Sequence, residues 1–122
     1  MPHVELKGPF TTRALHESFE PASERLGDAV FKTSASYLRK DAAEILIEAL
    51  VVEGYLKQEF LVQVRDRDGG LLIRLFPATP VQRTEGVKRF IVWLARRFQA
   101  ASPGLVMGTT NLQAYIDPRR GA

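Results

Sequence analysis

With 122 residues, 45% of them hydrophobic and 25% charged, the chain has the length of one domain able to bury its own core. Its composition is that of an ordinary globular protein, which excludes collagen-like and disordered classes. It holds no cysteine, so disulfides, thiolate metal centres and a cysteine nucleophile are excluded, and this usage fits a cytoplasmic protein. Seventeen Lys and Arg against fourteen Asp and Glu leave a net charge of +3 and a pI of about 9.5, which permits an anionic partner without demanding one.

No run of about 18 apolar residues exists, so no membrane-spanning helix and no membrane partner is expected. The opening MPHVELKGPF has no basic start, apolar region or small-residue cleavage site, and is not read as a signal peptide.

In chain order, His3 to Lys7 form a short leading strand, broken by Gly8 and Pro9. Thr11 or Thr12 caps a helix predicted from Arg13. Leu15, Phe19, Ala22 and Leu26 follow at spacings of four, three and four, one helical face, so the helix is drawn over 13–26. Pro21 kinks or restarts it, and Gly27 stops it. Asp28 to Arg39 alternates: Val30, Lys32, Ser34, Ser36 and Leu38 point one way, and Phe31, Thr33, Ala35 and Tyr37 the other. β-Branched, aromatic and small residues favour a strand there, ended by a Lys40-Asp41 turn.

The segment 41–53 fits two periods. As a strand it puts Ile45, Ile47, Ala49 and Val51 on one face. As a helix it gives Asp41, Glu44 and Glu48 a polar stripe, with Gly54 as C-cap. Beyond it, Phe60, Val62 and Val64 alternate with Leu61, Gln63 and Arg65. Asp68-Gly69 reads as a two-residue hairpin turn with positive φ at both positions, and Leu71, Ile73 and Leu75 form the return strand. Thr84 to Ala101 is a helix: Thr84 caps it, Glu85 sits at its positive end, and Val87, Phe90, Ile91, Leu94 and Phe98 line one face. Pro103-Gly104 ends it. Leu105 to Ile116 is apolar enough to dock as a last strand or short hairpin, and the closing DPRRGA reads as frayed.

Five residue groups could carry function. Arg89, Trp93 and Arg97, with Arg96 beside them, place an indole between guanidiniums on one helical face, residue types enriched in binding hot spots and in single-stranded nucleic-acid platforms. The bland alternative is an indole at the core edge shielded by arginines. Lys32, Arg39 and Lys40 could meet phosphates if 41–53 is helical, and are solvated turn and strand residues otherwise. RDRDGG, Arg65 to Gly70, superficially resembles a calcium loop, but it lacks an oxygen ligand and Pro77 stands where the bidentate glutamate belongs, so it is read as a turn. His16 and Glu20 are one helical turn apart, but with His3 as the only other histidine a complete metal site is hard to build, and an ion pair is the reading. Thr33, Ser34 and Ser36 have no partner spacing of a nucleophile motif, and no phosphate-binding glycine loop occurs. No catalytic, metal or cofactor-binding residue is assigned.

ALVVEGYLKQEF followed by a hairpin resembles the junction of a winged-helix DNA-binding domain, where a recognition helix leads into a two-stranded wing. The resemblance covers about a quarter of the chain. It implies a helical 41–53 and a DNA regulator using Lys32, Arg39 and Lys40. Against it, AVFKTSASYL reads as a strand where a helix should stand, and Glu44 and Glu48 would face phosphates.

The expected fold is a single α+β domain over 1–122: an antiparallel meander of about four strands near 29–38, 44–53, 57–66 and 70–76, packed against helices 13–26 and 84–101, with a winged helix as the alternative. The second sheet face would then carry Leu46, Leu50, Val52 and Leu61 among charges, too apolar for a fully wet surface. The expected function is a non-catalytic protein-interaction module, homodimeric through that face or through a sheet edge. The alternatives are the DNA-binding regulator and a small-ligand domain with Trp93, Tyr37 or Tyr55 in the wall of a helix–sheet pocket.

Overall fold

A computed structural model describes residues 1–116; the tail read as frayed lies outside the described residues. The fold is one seven-stranded antiparallel sheet curled into a half-barrel, with a small helical portion. The elements are β1 (His3–Lys7), α1 (Thr12–Ser18), β2 (Ala22–Leu26), β3 (Ala29–Leu38), β4 (Glu44–Glu53), β5 (Leu56–Arg67), β6 (Gly70–Leu75), α2 (Glu85–Ala101), β7 (Val106–Thr110) and α3 (Gln113–Ile116). The strand order is β2-β3-β4-β5-β6-β1-β7. This corrects the four-stranded α+β meander: strands β3 to β6 are where the alternation puts them, but three more strands extend the sheet on both sides.

The N-terminal helix of 13–26 is the main local error. α1 ends at Ser18, Phe19 turns extended (φ −65°, ψ 134°), and 22–26 pairs as a strand with β3, Ala22 opposite Thr33 and Leu26 opposite Ala29. Glu20 precedes a proline, which disfavours the helical region, and Pro21 brings no N–H to continue a helix. Only Leu15 of the supposed apolar face is buried, and Leu26 is 40% exposed. The winged helix fails at its centre, because 44–53 is a strand paired along its length with β5 and no helix occupies the recognition position.

The concave face of the sheet is the core. Ile45, Ile47, Ala49 and Val51 stand beside Phe60, Val62 and Val64, then Leu75, Ile73 and Leu71, then Val4 and Leu6. α1 and α2 pack into this concavity, with Leu15, Phe90, Ile91 and Leu94 fully enclosed. Phe90 is the centre of an aromatic group, 5.7 Å from Phe31, 5.5 Å from Phe60 and 5.4 Å from Trp93 between ring centroids. Burying each such side chain contributes about 1.5–3 kcal/mol.

Both longer helices are held at their N-termini by a carboxylate of the sheet. The Thr12 N–H and hydroxyl of α1 donate to Asp66 Oδ1 at 2.8 Å each. At α2 the Thr84 hydroxyl and the Gly86 N–H (2.8 Å) donate to the Glu53 carboxylate, while Thr84 Oγ1 accepts from Val87 N. A negative charge at the positive end of a helix, accepting its free N–H groups, is favourable and fixes where the helix begins.

Two backbone details set which side chains face out. An extra residue in β3 between Thr33 and Ser36 breaks its register with β4, so Thr33 opposes Ala49 but Ser36 opposes Ile47. This bulge flips the alternation: Lys32 and Tyr37 share the convex face, whereas Ser36 and Leu38 turn inward, against the simple two-residue pattern. At the β5–β6 turn Gly69 alone takes positive φ (75°), not Asp68 as well.

Candidate interaction surfaces

The convex face is assembled from the outward residues of β3 to β6. Its cross-strand rows run Val30–Val52–Lys57, Lys32–Leu50–Glu59, Glu48–Leu61, and Tyr37–Leu46–Gln63–Arg74. Leu46, Leu50, Val52 and Leu61 therefore do share one face, all half-buried, with α1 and α2 on the other side of the sheet. Thr79 of the 76–84 segment approaches part of this face, whereas Gln58, on the core side opposite Val51, accepts from Gln82 N (2.8 Å) and donates to Gln82 O (3.1 Å). Half-buried Phe76 adds a further apolar side chain that sequence reasoning did not single out.

A polar chain borders this apolar group. Arg74 donates to Gln63, Gln63 donates to Glu44, and Arg39 donates to Glu44 Oε2 at 2.9 Å. Gln63 is buried, yet both ends of its amide are satisfied, which removes the penalty of burying it. The Tyr37 hydroxyl donates to Glu48 Oε2 at 2.9 Å, and that bond with the adjacent negative charge pushes the phenol up from its ordinary value. Two shallow depressions flank the polar chain: one of 420 Å³ lined by Lys32, Glu48, Leu50, Glu59 and Leu61, and one of 390 Å³ around Leu46 and Phe76.

Lys32, Arg39 and Lys40 do not form a phosphate-binding cluster. Lys32 stands on the convex face opposite Leu50, whereas Arg39 lies beyond the far end of β3, engaged by Asp41 and Glu44. Those bonds, first Glu44 and then Asp41, raise the guanidinium further and keep its charge internally matched. Lys40 is exposed in the turn.

The helix stripe divides. Trp93 is 8% exposed and packs on Phe31 and Phe90, so its ring belongs to the core edge, and the Arg97 guanidinium stacks over it at 5.3 Å. Arg89 and Arg96 instead line a groove of 520 Å³ between α2, the edge strand β2 and α3. Its apolar lining is Leu26, Phe31, Val92, Trp93 and Tyr115; Glu24 stands on the β2 side. α3 is tied to α2 by Arg96, which donates to Ile116 O at 2.8 Å, and by the Tyr115 hydroxyl, which donates to Glu85 Oε2 at 2.6 Å. The bond to Glu85, then burial, raise the Tyr115 phenol, with Arg89 opposing. Leu26 and Tyr115 were missed because one was assigned to a helix face and the other lies in a short segment without periodicity.

His16 Nδ1 lies 2.6 Å from Ser36 Oγ, joining α1 to β3 rather than pairing with Glu20. Tyr55 is fully exposed at a hairpin tip and Tyr37 is exposed on the convex face, so neither walls a helix–sheet pocket. Among the described residues no group of three or more His, Asp or Glu is placed to hold a metal, and no helix is long and apolar enough to cross a membrane. In comparisons with known proteins, no family model, no curated protein and no solved structure matches the chain.

Proposed function

We propose that the protein is a non-catalytic interaction module of the cytoplasm that pairs with a second copy of itself through its convex face. The observation that carries this reading is the placement of Leu46, Leu50, Val52 and Leu61 together on the face that no helix among the described residues covers. Contiguous apolar surface of this kind is favourable to bury against a partner. The charges around it support a second copy as that partner: Lys32 lies on one side of Leu50 and Glu59 on the other, with Glu48 two residues along the same strand. A two-fold axis through such a patch sets each Lys32 against acids of the other protomer, as a self-complementary interface requires. A stable pairing buries roughly 800 Å² per protomer, which the outward surface of four strands can supply.

Light scattering during gel filtration at micromolar concentration tests this. The expected mass is that of a dimer of the 13.7 kDa chain, falling to the monomer for Leu50→Arg/Leu61→Arg with circular dichroism unchanged. A wild-type monomer at all concentrations, or a variant that stays dimeric, would sink the reading.

A further inference from the structure

We infer that the groove between α2, β2 and α3 is a binding site for a small amphipathic anion, a carboxylate or sulfonate carried on a flat apolar body. This site is separate from the convex face and does not rest on the reading above. At about 520 Å³ the open groove has room for a small organic ligand. Its lining is apolar on three sides: Leu26 from β2, Val92 and Trp93 from α2, and Tyr115 from α3.

Its polar groups are biased to one sign. Arg89 and Arg96 are seven residues apart on α2, two helical turns, and so rise on one side of the groove. Both are exposed, and neither makes an ion pair among the described residues. Arg96 spends one donor on Ile116 O, which fixes its orientation, and its other donors have no acceptor among the described residues. The Trp93 indole N–H has no acceptor among the described residues, and the ring is 8% exposed. The groove is the solvent-facing space that the ring lines. Among the described residues one acid, Glu24, lines the groove; Glu85 is occupied by Tyr115. Two guanidiniums at the mouth of an apolar cleft fit a ligand with one anionic end and an apolar remainder, since a carboxylate or sulfonate accepts bidentate bonds while its body replaces water on Trp93 and Tyr115.

Trp93 is the only tryptophan of the chain, so the emission has a single source, and the groove variants rather than the quenching itself locate the probe. The probe is 1-anilinonaphthalene-8-sulfonate, with N-phenyl-1-naphthylamine as the counterpart without the sulfonate. Saturable quenching of Trp93 by the sulfonate is expected, with energy transfer to the probe. Affinity is expected to fall about tenfold in Arg89→Ala/Arg96→Ala, as loss of charge-assisted bonds implies, while the neutral counterpart is unaffected by that change. Leu26→Glu, at a position 40% exposed and therefore tolerant, is expected to weaken the sulfonate without altering the thermal melt. Equal sulfonate affinity in the wild type and both variants overturns the proposal. So does binding that leaves Trp93 emission unchanged, or that disappears only in Leu50→Arg/Leu61→Arg on the opposite face.

Discussion

The Glu53–Gly86 contact lends itself to a quantitative test, because one carboxylate holds the start of α2. Glu53 accepts from Gly86 N–H and from the Thr84 hydroxyl. Hydrogen bonds to a charged acceptor contribute about 1.5–3 kcal/mol each, and a carboxylate at a helix N-terminus about 0.3–1 kcal/mol more. Glu53 is only half-buried, and the two bonds share one side chain, so about 2 kcal/mol is the expected cost of Glu53→Ala. Gly86 permits this geometry: a Cβ built there would overlap the Glu53 carboxyl group, and its three nearest atoms all belong to Glu53. Gly86→Ala must therefore displace the carboxylate, losing the same 2 kcal/mol or so, offset by roughly 0.5 kcal/mol from the better helix propensity of alanine. In a Glu53→Ala background the obstruction is gone, and Gly86→Ala should instead stabilise by about 0.5 kcal/mol. Urea unfolding followed by circular dichroism, with constant slope across the four proteins, measures the cycle. The coupling should be near 2 kcal/mol. Additive effects within about 0.5 kcal/mol would refute the role of Glu53 as the anchor of α2.

Other expectations follow from single residues. Ala42, in the β3–β4 turn, has φ 62°, a left-handed conformation that costs a non-glycine residue about 1–2 kcal/mol. Ala42→Gly should raise stability by about 0.5 kcal/mol after the added freedom of the unfolded chain is deducted; a loss of stability would contradict that geometry. The Ala43 N–H, at 3.0 Å, followed by the Arg39 side chain, holds the Asp41 carboxyl below its ordinary range. Its contribution is therefore present above the unfolded value of about 3.9 and is lost as pH falls through the lower folded value, so Asp41→Asn should flatten the stability profile in that acid window. A carboxyl resonance of Asp41 titrating at or above the ordinary value would oppose this. Leu6 is fully buried in β1, between β6 and β7, and Leu6→Ala should cost about 2–5 kcal/mol in thermal or urea unfolding. Val106→Ala, on the outer strand at 61% exposure, should change stability by less than about 0.5 kcal/mol. Equal effects at the two positions would argue against a central β1.

The convex patch was legible because β4 and β5 are hairpin neighbours, and alternation along two adjacent strands predicts which side chains share a face. The groove was not, because it joins β2, α2 and α3, segments far apart in the chain. Its arginines and tryptophan were visible on the helix period, but the wall that gives Arg89 and Arg96 a cleft to face comes from residues 22–26 and 113–116. The spacing of Leu15, Phe19, Ala22 and Leu26 imitated a helix face, and only the restriction around Pro21 and the offer of pairing from β3 overrode it.

Short-range patterns thus determined the elements that depend on their own residues: the alternation of β4 to β6, the Gly69 turn, and α2 with its Thr84 cap and Glu85 at the N-terminus. Tertiary structure alone decided where β1 and β7 sit in the sheet. β1 lies between β6 and β7, with Thr110 Oγ1 donating to His3 O at 2.7 Å and Asn111 Nδ2 donating to Met1 O at 2.8 Å across more than a hundred positions. It also decided the β3 bulge that turns Tyr37 outward and Ser36 toward His16. Hairpins close through short loops, so local residues specify them. The seats of β1, β2 and β7 are won by unpaired sheet edges satisfying their backbone groups with whichever distant segment also buries its apolar face, a competition that no local period records.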